Sequence, residues 1–193
     1  MVAVEPTDIE RLAAWRSGDK AAGQALVAKY FDGVCRFFRS KLGDDVVDIS
    51  DLVQQTFMDC VTSSSVVTQS YAAFLYTIAR ARLLDYLRSK YKRVAHSALS
   101  EMSLADLGAV ACTVLARQEA QQALLAALHK LPVDTRILLE LTYWENLSAP
   151  EIAAVLGIPA NTVRGKLSRA REALRELMLV DETTLDQTLS EFA

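Results

Sequence analysis

Glycine and proline are scarce in this chain, at 7 and 4 of 193 residues. Both fall well under their usual shares of about 7% and 5%. Hairpins and tight turns draw on these residues, which argues against an all-β sandwich or barrel. The three cysteines, Cys35, Cys60 and Cys112, are odd in number and widely spaced. They suit no disulfide framework and fit a reducing cytoplasm. His96 and His129 are the two histidines, and neither a Cys-x-x-Cys nor a His-x-x-x-His pair occurs, so no metal site is expected. No apolar run approaches the ~20 residues of a membrane span. The Met1–Pro6 stretch lacks the basic-then-apolar order of a signal peptide. No phosphate-binding loop or nucleophile motif appears, so neither catalysis nor a cofactor is expected.

Charge is present in ordinary amount but unevenly placed. The net charge is −3. Residues 78–93 carry Arg80, Arg82, Arg88, Lys90, Lys92 and Arg93 against the single acid Asp85. Residues 160–180 carry Arg164, Lys166, Arg169, Arg171 and Arg175 against Glu172 and Glu176. Two basic segments far apart in sequence suit two phosphate-contacting surfaces. Residues 44–59 carry Asp44, Asp45, Asp48, Asp51 and Asp59 with no base, a surface suited to a basic protein partner. Solvated helix faces would account for the same charges equally well.

The pattern is all-α: two small helical domains joined by a flexible linker. Thr7 with Glu10 forms a capping box. Asp19 caps a helix to about Leu42, and Gly43 stops it. A third helix follows Asp48 or Ser50 and buries Leu52, Val53, Phe57, Cys60 and Val61. Residues 62–69 read as a loop. Ser70 caps a long helix to about Arg93, with Tyr71, Phe74, Leu75, Ile78, Leu84 and Leu87 on its apolar face. The expected domains are 1–93 and 113–180, with a linker over 94–112 and a mobile acidic tail over 181–193.

Residues 148–163 carry a more specific signal. Ser148 and Glu151 form a capping box with Pro150 in the first turn. Ala153 leaves room for a crossing helix, Gly157 permits a left-handed turn, and Val163 packs between the two helices. Beyond it, Val163, Leu167, Ala170, Leu174 and Leu177 recur at helical spacing. Asn161, Thr162, Arg164, Lys166, Ser168 and Arg169 are left on a polar outer face. This is the pattern of a helix-turn-helix with a basic recognition helix. A helical hairpin of pure packing is the alternative, and the small-Gly-apolar spacing with basic outer residues favours DNA binding over it.

With these elements in place, SDLVQQTF at 50–57 and FLYTIARARLLDYLR at 74–88 resemble bacterial sigma factors of the extracytoplasmic-function class. LPVDTRILLELTY at 131–143 and the helix-turn-helix resemble the C-terminal domain of the same family. The likeness covers roughly residues 20–93 and 114–178, in the family's order. It implies a first domain docked on core RNA polymerase at the β′ clamp helices, through Asp48, Asp51 and Gln54, with Leu52 and Phe57 behind them. It implies that the long helix and the loop before it open the −10 element and hold an unstacked base, with Tyr76, Arg80, Asp85 and Arg88 as candidates. For Tyr76 a core role fits as well as stacking. The second domain would meet the β flap and read the −35 element of promoter DNA through Asn161, Thr162, Arg164, Lys166 and Arg169. The resemblance also implies an anti-sigma factor as a partner. Three positions depart from the family: Ala81 stands where Asn is usual, Phe74 where Trp is, and Gly165 where Ser or Thr is. Ser50 stands where the family often has an acid. It is read either as a Ser/Thr kinase target whose phosphate completes the acidic surface, or as the helix N-cap. A helix-turn-helix regulator without sigma activity is the alternative function, and it leaves the first domain's motif unexplained.

Overall fold

The computed structural model describes residues 6–43, 46–67, 69–97 and 119–191. Among them are nine helices and no strand. Helix α1 (Asp8–Arg16) begins at Thr7, whose N–H donates to Glu10 at 2.7 Å while its hydroxyl accepts the Glu10 N–H at 3.3 Å. Helix α2 (Lys20–Leu42) begins at Asp19, whose carboxylate accepts the Ala21 and Ala22 N–H groups at 2.9 and 3.2 Å. Caps of this kind are worth about 1 kcal/mol each. Gly43, at φ 76°, ends α2 in a backbone region that disfavours side chains.

Helix α3 (Val46–Thr62) starts earlier than its sequence suggests. Val46, Ile49 and Val53 recur at three and four, and that spacing carries the helix one turn upstream. Ser50 therefore lies inside α3, exposed, and is not its N-cap. Leu52, Val53, Phe57 and Cys60 are buried, while Val61 is only half-buried. Helix α4 (Tyr71–Ser97) begins where Ser70 accepts the Ala73 N–H at 3.2 Å, and runs four residues beyond Arg93. The expected linker beyond Ser97, with Cys112, lies outside the described residues.

The second module comprises α5 (Glu119–His129), α6 (Val133–Tyr143), α7 (Ala149–Leu156), α8 (Ala160–Met178) and α9 (Glu182–Glu191). Ser148 and Pro150 open α7; Glu151 accepts the Ser148 N–H and hydroxyl at 2.7 and 2.6 Å. Gly157, at φ 66° and ψ 36°, makes the left-handed turn into α8. Val163, Ala170 and Leu174 are buried against α7 and its neighbours, but Leu177 is exposed. The acidic C-terminal segment is not a mobile tail. Leu185 and Leu189, four apart, are both buried, and Asp181 accepts the Thr184 N–H at 2.7 Å to start the helix. An i, i+4 apolar pair outweighs the acidic composition that suggested mobility.

One apolar core runs through both modules. In the first it gathers Leu26, Val34, Phe37, Phe38, Leu75 and Leu83; in the second Leu124, Ile137, Leu138, Leu141, Ile152 and Leu174. Full burial of each such side chain contributes about 1.5–3 kcal/mol before chain entropy is counted. Helix α4 packs on α3 on one side and on α7 on the other, and α2 touches α6. The modules are thus docked, not merely tethered.

Candidate nucleic-acid interface

Three surfaces collect the residues singled out above. The first is on α3. Burial of Leu52, Val53, Thr56 and Phe57 turns Asp51, Gln54, Gln55 and Met58 outward along one face. Leu52 and Phe57 thus stand behind Asp51 and Gln54 as core supports. Ser50 is exposed at the upstream end of this face. Met58 is a large apolar group left in solvent, which suits a protein partner. Asp48 lies within α3, but its side chain is outside the described residues.

The second surface belongs to α4 and the loop before it. Thr77, Ala81, Asp85 and Arg88 are exposed and fall on one stripe of the helix. Arg88 pairs with Asp85 at 3.1 Å, on the surface. Ala81 sits in the middle of this stripe, so the position where the family carries Asn does face outward. Tyr76 and Arg80 do not join them. Tyr76 is 0% exposed, its ring 5.6 Å from that of Phe37, so its core reading is the one the structure bears out. Burial, then the Glu145 carboxylate, holds its phenol protonated. Arg80 gives its Nε and Nη2 hydrogens to Asp134 of the second module, at 3.1 and 2.8 Å. The preceding loop leaves Val66 84% exposed. Sequence reasoning missed what shapes that loop. Arg16, at the end of α1, donates to the Cys60 carbonyl twice, at 3.1 and 2.8 Å, and to the Ser65 carbonyl at 2.9 Å. Its guanidinium also lies 5.6 Å from the Phe74 ring centre. A lone basic residue in a terminal helix carries no sequence signal for such a role.

The third surface is the outer face of α8. Asn161, Arg164, Lys166 and Arg169 are exposed, and Thr162 is half-buried with its hydroxyl 3.4 Å from Asn161. Among the described residues, none of these three cations is in an ion pair. The other two cations of α8 are engaged. Arg171 donates to the Tyr143 hydroxyl at 2.7 Å and pairs with Glu182 and Asp186 of α9. Arg175 pairs with Glu172 at 2.5 Å. The helix thus leaves three cations on an open outer face, while Arg171 is held by α9 and Arg175 by a neighbour on its own surface. Gly165 lies in the open face with nothing within 4 Å of where a Cβ would stand.

Residues 26–93 match sigma-70 region 2 and residues 121–174 match sigma-70 region 4. The RNA polymerase sigma factor CnrH of Cupriavidus metallidurans is 30% identical over 192 residues, spanning 92% of this chain and 98% of that protein. The chain belongs to the extracytoplasmic-function class of RNA polymerase sigma factors. The sigma factor SigW of Bacillus subtilis is 29% identical across 86% of this chain and 94% of its own. Among solved structures, CnrH in complex with the cytosolic domain of CnrY is 26% identical, with a TM-score of 0.63 over 91% of this sigma factor and 99% of CnrH. RpoE of Bartonella quintana, solved with the anti-sigma factor NepR, shares the fold at a TM-score of 0.65 and 24% identity, over 82% of this chain and 98% of RpoE. This sigma factor acts in transcription initiation.

Proposed function

We propose that the three surfaces divide the work of promoter recognition among them. The α3 face carrying Asp51, Gln54 and Met58, with Asp48 at its start, docks on the β′ clamp helices of core polymerase, a basic partner suited to its acids and amides. The outer stripe of α4 and the 63–67 loop engage the −10 element. Asp85 and Arg88 meet its backbone and bases, and exposed Val66 offers an apolar face to an unstacked base. Tyr76 supports the helix from within. The outer face of α8 enters the major groove of the −35 element, with Asn161, Thr162, Arg164, Lys166 and Arg169 divided between base edges and phosphates. The second module meets the β flap; the first module reaches the end of α4 at Ser97, and the second takes in α9 to Glu191. The chain carries no catalytic step of its own and works in the cytoplasm with the polymerase. An anti-sigma factor is the partner that would withhold it, as the complexes of its relatives suggest.

The observation that carries this reading is the split on α8. Among the described residues, Arg164, Lys166 and Arg169 share one open face with no ion pair, while Arg171 is held by α9 and Arg175 by Glu172. Three cations gathered on one open face raise the positive potential that a phosphate backbone meets. Replacing Arg164, Lys166 and Arg169 together with Ala tests it. Each lost phosphate contact should lower the slope of log affinity for duplex promoter against log salt by about 0.9. An unchanged slope and unchanged start sites would refute the assignment. Ser50, exposed on the polymerase-facing helix, is placed so that a phosphate adds about −1.5 to −2 of charge there. Ser50→Glu should bind core more tightly than Ser50→Ala, and equal binding of the two would remove kinase control from the account.

A further inference from the structure

Val66, in the loop between α3 and α4, is an aliphatic side chain left in water. Its flanks are held. Upstream, the Ser63 N–H donates to the Asp59 carbonyl at 2.9 Å, and the Ser65 N–H donates to the Ser63 hydroxyl at 3.2 Å. The Ser65 carbonyl accepts from Arg16 Nη1 at 2.9 Å. Downstream, Val67 is half-buried against the core. Val66 thus sits between two fixed neighbours, and its branched side chain has few rotamers open to it. Arg16 itself belongs to neither the loop nor α4. It ends α1 and is half-buried. Its Nε and Nη2 donate to the Cys60 carbonyl, in the last turn of α3, at 3.1 and 2.8 Å. Its guanidinium lies 5.6 Å from the ring centre of Phe74, in the first turn of α4. One planar group therefore ties together the end of α3, the loop and the start of α4. A guanidinium suits this task, because its donors sit in a rigid fork while its face stays free for a ring.

We propose that Arg16 is a positioning residue for promoter opening: it fixes the loop so that Val66 meets an unstacked base of the −10 element, and it does so without touching DNA. This rests on the reading above that the loop and α4 engage that element. The face proposed to dock on core polymerase lies on α3, and Arg16 grips the C-terminal end of the same helix. The placement of α3 on core is thereby passed to the loop that must catch the base. What the fork supplies is preorganisation. A loop ordered before binding loses less freedom when the base arrives. Without the fork the Cys60 and Ser65 carbonyls turn to water, and Val66 moves over positions that miss the strand.

The test uses holoenzyme formed with bacterial core polymerase, on a promoter taken from the starts that the wild-type protein directs. 2-Aminopurine replaces each adenine of the −10 element in turn, and its fluorescence rises as a base leaves the stack. Wild type, Arg16→Ala, Arg16→Lys and Val66→Ser are compared, with Val66→Ser also combined with each Arg16 variant, at a temperature where circular dichroism shows every protein folded. Arg16→Ala should slow unstacking about tenfold, as misplacement from a distance does, while affinity for core and for duplex carrying the −35 element stays within about twofold. Val66→Ser should slow unstacking about as much in the wild type but less than about twofold once Arg16 is gone, because both changes act on one placement. Arg16→Lys keeps the charge without the fork and should fall between wild type and Arg16→Ala. It carries the same comparison if Arg16→Ala does not fold. Losses that simply multiply, or core and −35 binding that fall as far as unstacking does, would make Arg16 a stabiliser of the fold alone and overturn the proposal. If wild type opens the promoter and both Arg16 variants open it as fast, the proposal falls and the promoter reading stands. If wild type directs no start with core, both fall.

Discussion

At the scale of single residues, the fold depends on a few side chains whose importance lies in what they leave behind when removed. Arg16 satisfies two carbonyls at the end of α3 and in the loop before α4. Arg16→Ala strands the part-buried Cys60 carbonyl and frees the loop at Ser65, and should cost about 2 kcal/mol. For a chain of this length that is a fall in melting temperature of about 4–8 °C. Arg16→Lys should recover less than half of it, because an ammonium cannot reproduce the fork on Cys60. Equal melting temperatures for all three proteins would show that the loop needs no anchor. The Lys41–Glu140 pair behaves differently. Burial drives the Lys41 ammonium down to about 8 and the Glu140 carboxyl upward, each opposed by attraction to the other. Removing one partner leaves a buried charge, so Lys41→Met alone should destabilise the protein by up to about 3 kcal/mol in urea unfolding. Adding Glu140→Leu should restore most of that loss, because two apolar groups of similar volume avoid the desolvation of both ions. A double variant no better than the single one would mean that the pair is worth more than its apolar replacement.

Among the elements, those with local signals were legible and those with relational signals were not. Thr7, Asp19, Ser70, Ser148, Gly43 and Gly157 mark helix ends by their own chemistry, and each stands at the end it marks. The face of α4 was read only in part. Tyr71, Leu75 and Leu87 are buried as the spacing suggests, but Phe74, Ile78 and Leu84 are half-buried, while Ala73, Tyr76, Ala79 and Leu83 are buried in addition. That arc is too wide for one partner. It exists because α7 covers α4 from a second side, and no local pattern announces a distant module. Helix α9 was missed for the opposite reason, since four acids in thirteen residues obscured one leucine pair. Its acids hold Arg171, a cation at the edge of the α8 face proposed to meet DNA. Glu182→Gln with Asp186→Asn should free it without removing Leu185 and Leu189 from the core. Duplex binding should then strengthen at low salt, with a salt slope steeper by up to about 0.9 if Arg171 gains a phosphate. An unchanged slope would assign Arg171 to structure alone.

For the molecule as a whole, function was more legible than arrangement. The order of the two motifs identified the family, because a motif is carried by residue type and spacing. Arrangement depends on contacts such as Arg80 with Asp134 and Arg36 with Glu145, which are ordinary surface charges until the modules meet. The same chain therefore reads as two open DNA-binding units in sequence and as one docked body in structure. Together these units direct polymerase to promoters. The most direct test is transcription in vitro by bacterial core polymerase on fragmented genomic DNA of the source, with the 5′ ends sequenced. Discrete starts should appear only when this protein is added, preceded by two shared sequence elements, the upstream one lost with Arg164→Ala, Lys166→Ala and Arg169→Ala combined. Starts that are absent or independent of the protein, with duplex binding intact and no affinity for core, would contradict it and leave a helix-turn-helix regulator that acts without sigma activity.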